Sequence, residues 1–94
     1  PIAPLIDKFR AFGWNVLPEI YDGHDMDAIF RSFDDMDASL AWPKAAIYRT
    51  VKGKGVSFME GKNAWHGAPI DEKSYAIARP ELVAAYEAAL AEVE

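Results

Sequence analysis

Two short stretches carry residue types suited to holding or moving charge. In "TVKGKGVSFMEGKNAWHG", residues 50–67, Lys52 and Lys54 alternate with Gly53 and Gly55, and His66 follows between Trp65 and Gly67. Lysine offers a compact cation that suits phosphate oxygens, and glycine lets backbone approach a ligand closely and take positive φ. A solvated glycine turn with two surface lysines fits the same residues. The stretch is not a nucleotide P-loop, because Gly61-Lys62 is followed by Asn63 where that motif needs Ser or Thr. His66 can donate to an anion or move a proton near neutral pH, or act as an ordinary hydrogen-bonding loop residue. The second stretch is "DGHD", Asp22 to Asp25. Its carboxylates and His24 suggest a metal, but the same residues make a turn and a helix cap, with Asp22 or Asp25 accepting from the first helical amides.

The elements that must position these stretches follow from periodicity. Leu5, Ile6, Phe9 and Phe12 share one helical face, and Gly13 stands where a C-terminal glycine belongs. Trp14 to Tyr21 reads as a strand, with Pro18 demanding either an edge position or an irregular middle. Met26, Ile29, Phe30, Phe33, Met36 and Leu40 mark a second helix, which Pro43 closes. Lys44 to Val51 has the length and residue types of a buried strand. Strand, helix, strand with short links is a βαβ unit with parallel strands and a right-handed crossover. In such sheets ligands bind beyond the carboxyl ends of the strands, which selects "DGHD" and "KGKG" and puts both on one edge.

After the second strand a glycine-rich loop is expected over 52–70, then a short helix capped by Asp71 and running through Ala78. A last helix is expected over 80–94, started by Pro80, with Leu82, Val83, Tyr86, Leu90 and Val93 on its apolar face. Asp34, Asp35 and Asp37 read as the wet face of the second helix, and Trp14, Trp42 and the helical phenylalanines as core. Two parallel strands do not make a stable sheet alone. The chain therefore needs neighbours: further parts of its own polypeptide, a partner subunit, or both.

Composition narrows the class. Ninety-four residues, half of them apolar, make at most one small globular domain. The net charge of −5 argues against a general nucleic-acid binder or an anionic membrane surface. No cysteine is present, so disulfides and thiolate zinc sites are excluded, which fits a reducing compartment. Neither a signal peptide nor a bilayer-length apolar run is found. The opening "PIAPLI", without methionine, reads as that of a partial chain.

The order "KFRAFGWNV", "DGHDMDAI", "AAIYRTVKGKGVSFME", "WHGAPID" resembles the transketolase family, at the end of its N-terminal, diphosphate-binding region. The likeness covers roughly residues 5–78 and is greatest to the form split into two subunits. It implies a βαβ fragment of a parallel-sheet, thiamine diphosphate-binding α/β fold, with flanking helices and a C-terminal helix. It implies a part of an enzyme that transfers a two-carbon ketol unit between sugar phosphates of the pentose phosphate pathway. Thiamine diphosphate and Mg2+ or Ca2+ would be the cofactors, the place cytoplasmic, and the complete enzyme a homodimer or heterotetramer with the other domain or subunit. His66 matches the family histidine that contacts the cofactor diphosphate and lies near the substrate, a catalytic and binding role. Lys52 matches the family lysine at the cofactor. The Gly-Asp-Gly motif of the metal site, its asparagine and the activating glutamate are absent, so no metal ligand is named and the fragment alone is expected to be inactive. A deoxyxylulose phosphate synthase-like enzyme and a non-catalytic binding or assembly module are the competing readings.

Overall fold

The structure, a computed structural model, describes residues 4–39 and 41–93. Leu40, expected on the second helical stripe, and Glu94, expected to end the last helix, lie outside the described residues. The chain divides into two compact units, one ending at Thr50 and one beginning at Val51.

The first unit holds helix α1 (Leu5–Ala11), strand β1 (Asn15–Asp22), helix α2 (Met26–Ala38) and strand β2 (Lys44–Arg49). The two strands pair in parallel, as the βαβ order requires. α1 ends as its sequence predicts: Gly13 takes φ +89° and its amide donates to Arg10 O at 2.9 Å. Pro18 disturbs β1 from within. Val16 pairs with Ala45 and Ile20 with Ile47, so β1 carries two more residues than β2 across this stretch. A residue without an N–H cannot hold a ladder position, and the surplus residues bulge out around it.

Both faces of β1 are used. Adjacent strand residues point to opposite faces, and Val16 and Leu17 are both buried. α2 covers the face of Tyr21 and Tyr48, whose rings stand 5.8 Å apart. On that face Ser32 is fully buried and its hydroxyl donates to Ile29 O at 2.6 Å, so Tyr48 Oη must be the donor in the Tyr48–Ser32 pair. Tyr21 Oη donates to Asp35 Oδ2 at 2.7 Å, and Arg31 lies over the Tyr21 ring while pairing with Glu19. Asp35 is thus a partner of the core tyrosine, not merely part of a wet face. On the other face, Leu5 and Ile6 of α1 line an open cavity with Ile20 and Ile47.

Burial pushes the Tyr21 phenol up to about 12, and the hydrogen bond to Asp35 adds to it. A phenol raised in the folded state stabilises fully below the unfolded value of 10.0 and loses that contribution as pH climbs through the folded value. Tyr21→Phe is therefore expected to lower stability by about 1 kcal/mol at pH 7, the net worth of one hydrogen bond. It should also flatten the loss of stability between pH 10 and 12. Urea denaturation at pH 7 and pH 11 checks both; an unchanged alkaline slope in the variant would contradict the assignment.

Several residues expected in the core are not there. Trp42 is 79% exposed, Phe12 88% and Phe30 62%, with Phe33 and Trp14 also exposed. β2 is half-buried rather than buried, and it ends at Arg49. The cause is geometric: a two-stranded sheet offers too little surface to cover these side chains.

The second unit consists of a turn-rich segment, a 3₁₀ turn at Asn63–Trp65 and helix α3 (Glu72–Val93). Asp71 caps α3, accepting from the Ser74 amide at 2.7 Å. α3 runs unbroken through Pro80, where a short helix followed by a second one was expected. Proline in a helix interior removes one hydrogen bond and crowds the carbonyl four residues back. Strong helix formers on either side keep the helix continuous, and one stripe of Tyr75, Ala78, Leu82 and Tyr86, flanked by Val83, passes through it at spacings of three and four. These residues, with Val56, Met59 and Ile70, line an apolar groove of about 530 Å³. Among the described residues, no helix is long and apolar enough to cross a membrane.

Candidate functional site

The glycine loop is built from successive tight turns. Lys54 N donates to Val51 O at 3.2 Å, Val56 N to Gly53 O at 3.2 Å, and Met59 N to Val56 O at 2.9 Å. Gly61 N then donates back to Lys52 O at 2.8 Å, which closes the loop. Two glycines are required by this path. Gly53 sits at φ +71°, and a Cβ there would stand 2.6 Å from Met59 O. Gly55 sits at φ +98°, with a Cβ position 3.2 Å from Leu82 Cδ2. The alternation of lysine and glycine thus reflects backbone geometry first: the glycines permit the closure, and the lysines keep their charge outside it.

Lys52 and His66 meet at one residue. Lys52 Nζ donates to Asn63 Oδ1 at 2.9 Å, and the His66 amide donates to Asn63 O at 3.1 Å. Asn63 opens the 3₁₀ turn that ends at Trp65, and the half-buried Trp65 ring rests against Phe58 with centroids 5.2 Å apart. The turn thereby fixes the backbone of His66, whose side chain projects from an exposed position and makes no hydrogen bond among the described residues. An ammonium has three donors. Lys52 spends one on Asn63. Lys54 is exposed on the same loop.

A diphosphate needs cationic donors, and the exposed Lys52 and Lys54 are of that type, while the side-chain space at Gly53 and Gly55 is taken up by Met59 and Leu82. The space normally taken by a Cβ at Gly53 is filled by Met59, so the loop packs tightly on itself at this point. Among the described residues, no group of three or more His, Asp or Glu side chains stands together to hold a metal ion.

The "DGHD" stretch works as a turn and cap. Asp22 Oδ1 accepts from the His24 amide at 2.9 Å, and Asp25 Oδ1 accepts from the Asp27 amide at 3.0 Å, capping α2. Gly23 N donates to Arg49 O at 2.8 Å, and a Cβ at Gly23 would stand 2.6 Å from Thr50 Cγ2. The glycine therefore lets the carboxyl ends of β1 and β2 lie side by side.

Three contributors are not evident from residue types. Asn63 stood out only as the residue that spoils a P-loop, yet it links Lys52 to the His66 turn. Phe58 supports Trp65. Glu81 lies 24 positions beyond Ser57, and its carboxylate accepts from both the Ser57 amide and hydroxyl. The "ARPEL" context of Glu81 reads as helix surface, and no local pattern announces so distant a pairing.

Comparison with known proteins bears on the same segments. The family model described as the transketolase thiamine diphosphate-binding domain matches residues 3–90. The 6-deoxy-6-sulfo-D-fructose transketolase subunit SqwG of Clostridium sp. (strain MSTE9) is 40% identical over 82 residues, which is 87% of this chain and 29% of that protein. An apulose-4-phosphate transketolase subunit of Phocaeicola vulgatus is 44% identical over 68 residues, 71% of this chain and 24% of that protein. Transketolase 2 of Escherichia coli (strain K12) is 39% identical over 75 residues, 80% of this chain and 11% of that protein. The chain thus spans less than a third of the length of these relatives.

Proposed function

The chain belongs to the transketolase family, in its thiamine diphosphate-binding domain, and from that premise we propose that it forms one wall of the cofactor site in a ketol-transferring enzyme. Lys52 and His66 meet the cofactor diphosphate, and His66 handles a proton at the sugar oxygens during transfer of a two-carbon ketol unit between sugar phosphates. The observation that carries this reading is the shared tie of Lys52 and His66 to Asn63. It joins the Lys52 ammonium and the His66 backbone to one residue of the loop.

Bound thiamine diphosphate supplies the electron sink that lets the ketol unit leave one sugar and join another. The chain's own residues do the rest of the work assigned here. Lys52 neutralises diphosphate charge, which costs little reorganisation because the loop is already closed. His66 is held by its backbone and leaves its imidazole, a group able to donate or accept a proton, for the ligand.

The catalytic unit is larger than this chain. The other domain or subunit covers the exposed aromatic residues and completes the site, as a homodimer or a heterotetramer. The "subunit" wording of two relatives supports a separately encoded partner. A divalent metal, Mg2+ or Ca2+, is held by residues beyond this chain. The place of action is the cytoplasm, and the substrates are sugar phosphates of the pentose phosphate type.

The complete enzyme, assayed with thiamine diphosphate, should transfer ketol units between pentose phosphates. It should fail to condense pyruvate with glyceraldehyde phosphate, and the present chain alone should turn over neither. Pyruvate-dependent product would move the assignment to a deoxyxylulose phosphate synthase-like enzyme. No cofactor binding by the complete protein would leave only an assembly module.

A further inference from the structure

The glycine loop is fastened to α3 at two adjacent points. Val56 is buried and lines the apolar groove with Leu82. Next to it, Ser57 N donates to Glu81 Oε2 at 2.7 Å and Ser57 Oγ donates to Glu81 Oε1 at 2.6 Å. One carboxylate thus grips one loop residue by both its backbone and its side chain. Glu81 stands next to Leu82, whose Cδ2 limits the space at Gly55. The loop contains further fasteners of its own: Gly55 N donates to Glu60 Oε1 at 3.0 Å, and Gly61 N closes on Lys52 O. Ser57 follows directly on Val56, whose amide donates to Gly53 O and whose carbonyl accepts from the Glu60 amide, so movement of Ser57 would pass through this backbone and its turn bonds to Lys52.

We propose that Glu81 is a positioning residue for the cofactor edge: its grip on Ser57 sets the loop pose from which Lys52 meets the diphosphate. The inference rests on the cofactor-edge reading of Lys52. A carboxylate is the side chain that this geometry requires. It presents two acceptors to two donors of one residue, and charge-assisted hydrogen bonds of this kind are about twice as strong as neutral ones. A glutamine of the same shape can accept with only one of its two terminal atoms. Ser57 in turn holds the Glu81 carboxyl below the usual carboxylate range, first through its hydroxyl and then through its amide.

The test uses the complete enzyme and thiamine diphosphate as the probe. Glu81→Gln is expected to raise the Kd for thiamine diphosphate about tenfold, the effect of losing one charge-assisted hydrogen bond, while kcat at saturating cofactor stays within about twofold. Ser57→Ala approaches the same contact from its other end and should give a similar rise. Because both variants break one interaction, the double variant should be no worse than the weaker binding single variant. In the enzyme without cofactor, amide hydrogen exchange across residues 52–61 should accelerate in both variants, a readout independent of turnover. An unchanged Kd in Glu81→Gln and Ser57→Ala, alongside a raised Kd in Lys52→Met, would overturn the role of Glu81 and leave the cofactor edge standing. Fully additive effects of the two substitutions would also overturn it. An unchanged Kd in Lys52→Met would remove the cofactor edge itself, and this inference with it.

Discussion

Replacing His66 by alanine in the complete enzyme is expected to lower kcat about 100-fold, the lower range for loss of a positioned acid-base group, and to weaken retention of thiamine diphosphate. The fold should survive. Among the described residues the His66 side chain makes no hydrogen bond, and the turn that holds it is built from its own amide, Asn63 and the Trp65–Phe58 contact. Alanine removes none of these. Circular dichroism and the melting temperature should match the parent enzyme, which separates a chemical loss from a structural one. Steady-state rates at saturating and limiting cofactor then divide the effect between turnover and binding. A kcat within about threefold of the parent at both cofactor levels would refute the role, since so small a change is under 1 kcal/mol of transition-state stabilisation.

Gly53→Ala is the second large effect, and its cause is steric. The residue sits at φ +71°, and the added methyl would stand 2.6 Å from the Met59 carbonyl oxygen. A left-handed conformation alone costs an ordinary residue about 1–2 kcal/mol. The clash comes on top of that, and backbone cannot swing aside as a side-chain tip can. The loop must open, the Gly61 amide loses Lys52 O, and the Lys52 ammonium moves off its edge. Affinity for thiamine diphosphate is expected to fall by at least about tenfold, since each factor of ten corresponds to 1.4 kcal/mol. Gly61→Ala is the internal control. Gly61 has nearly the same φ, +70°, but open space around its Cβ position. It should show only the conformational part of the loss and bind cofactor more tightly than Gly53→Ala. Isothermal titration of both variants measures the difference; equal affinities, or a silent Gly53→Ala, would contradict the steric account.

What could be read from residues alone was local chemistry. Gly13 at the end of α1, Asp25 and Asp71 as caps, and Pro18 as the fault in β1 all act within a few positions of themselves, and each is where its chemistry demands. The parallel βαβ order follows from the same short-range logic. Burial was not legible. Trp42 and Phe30 have the composition of core residues, but what covers them depends on surface that a two-stranded sheet does not supply. The unbroken α3 was readable in principle: the apolar stripe from Tyr75 to Tyr86 keeps helical spacing across Pro80, and the proline outweighed it as a signal.

The candidate site divides in the same way. Lys52 and His66 are conspicuous by type and spacing. Their common partner Asn63 and the remote Glu81 are ordinary residues whose importance comes from where the turns deliver them. A pairing across 24 positions has no periodic trace in the sequence.

The central claim is that Lys52 and His66 present their donors together to a diphosphate. A crystal structure of the complete enzyme with thiamine diphosphate bound tests it most directly. The account predicts Lys52 Nζ and an imidazole nitrogen of His66 each within about 3.2 Å of a ligand oxygen, ordinary hydrogen-bond distance, with Gly61 N still closed on Lys52 O. A diphosphate seated elsewhere, with both side chains beyond reach of any of its oxygens, would contradict it.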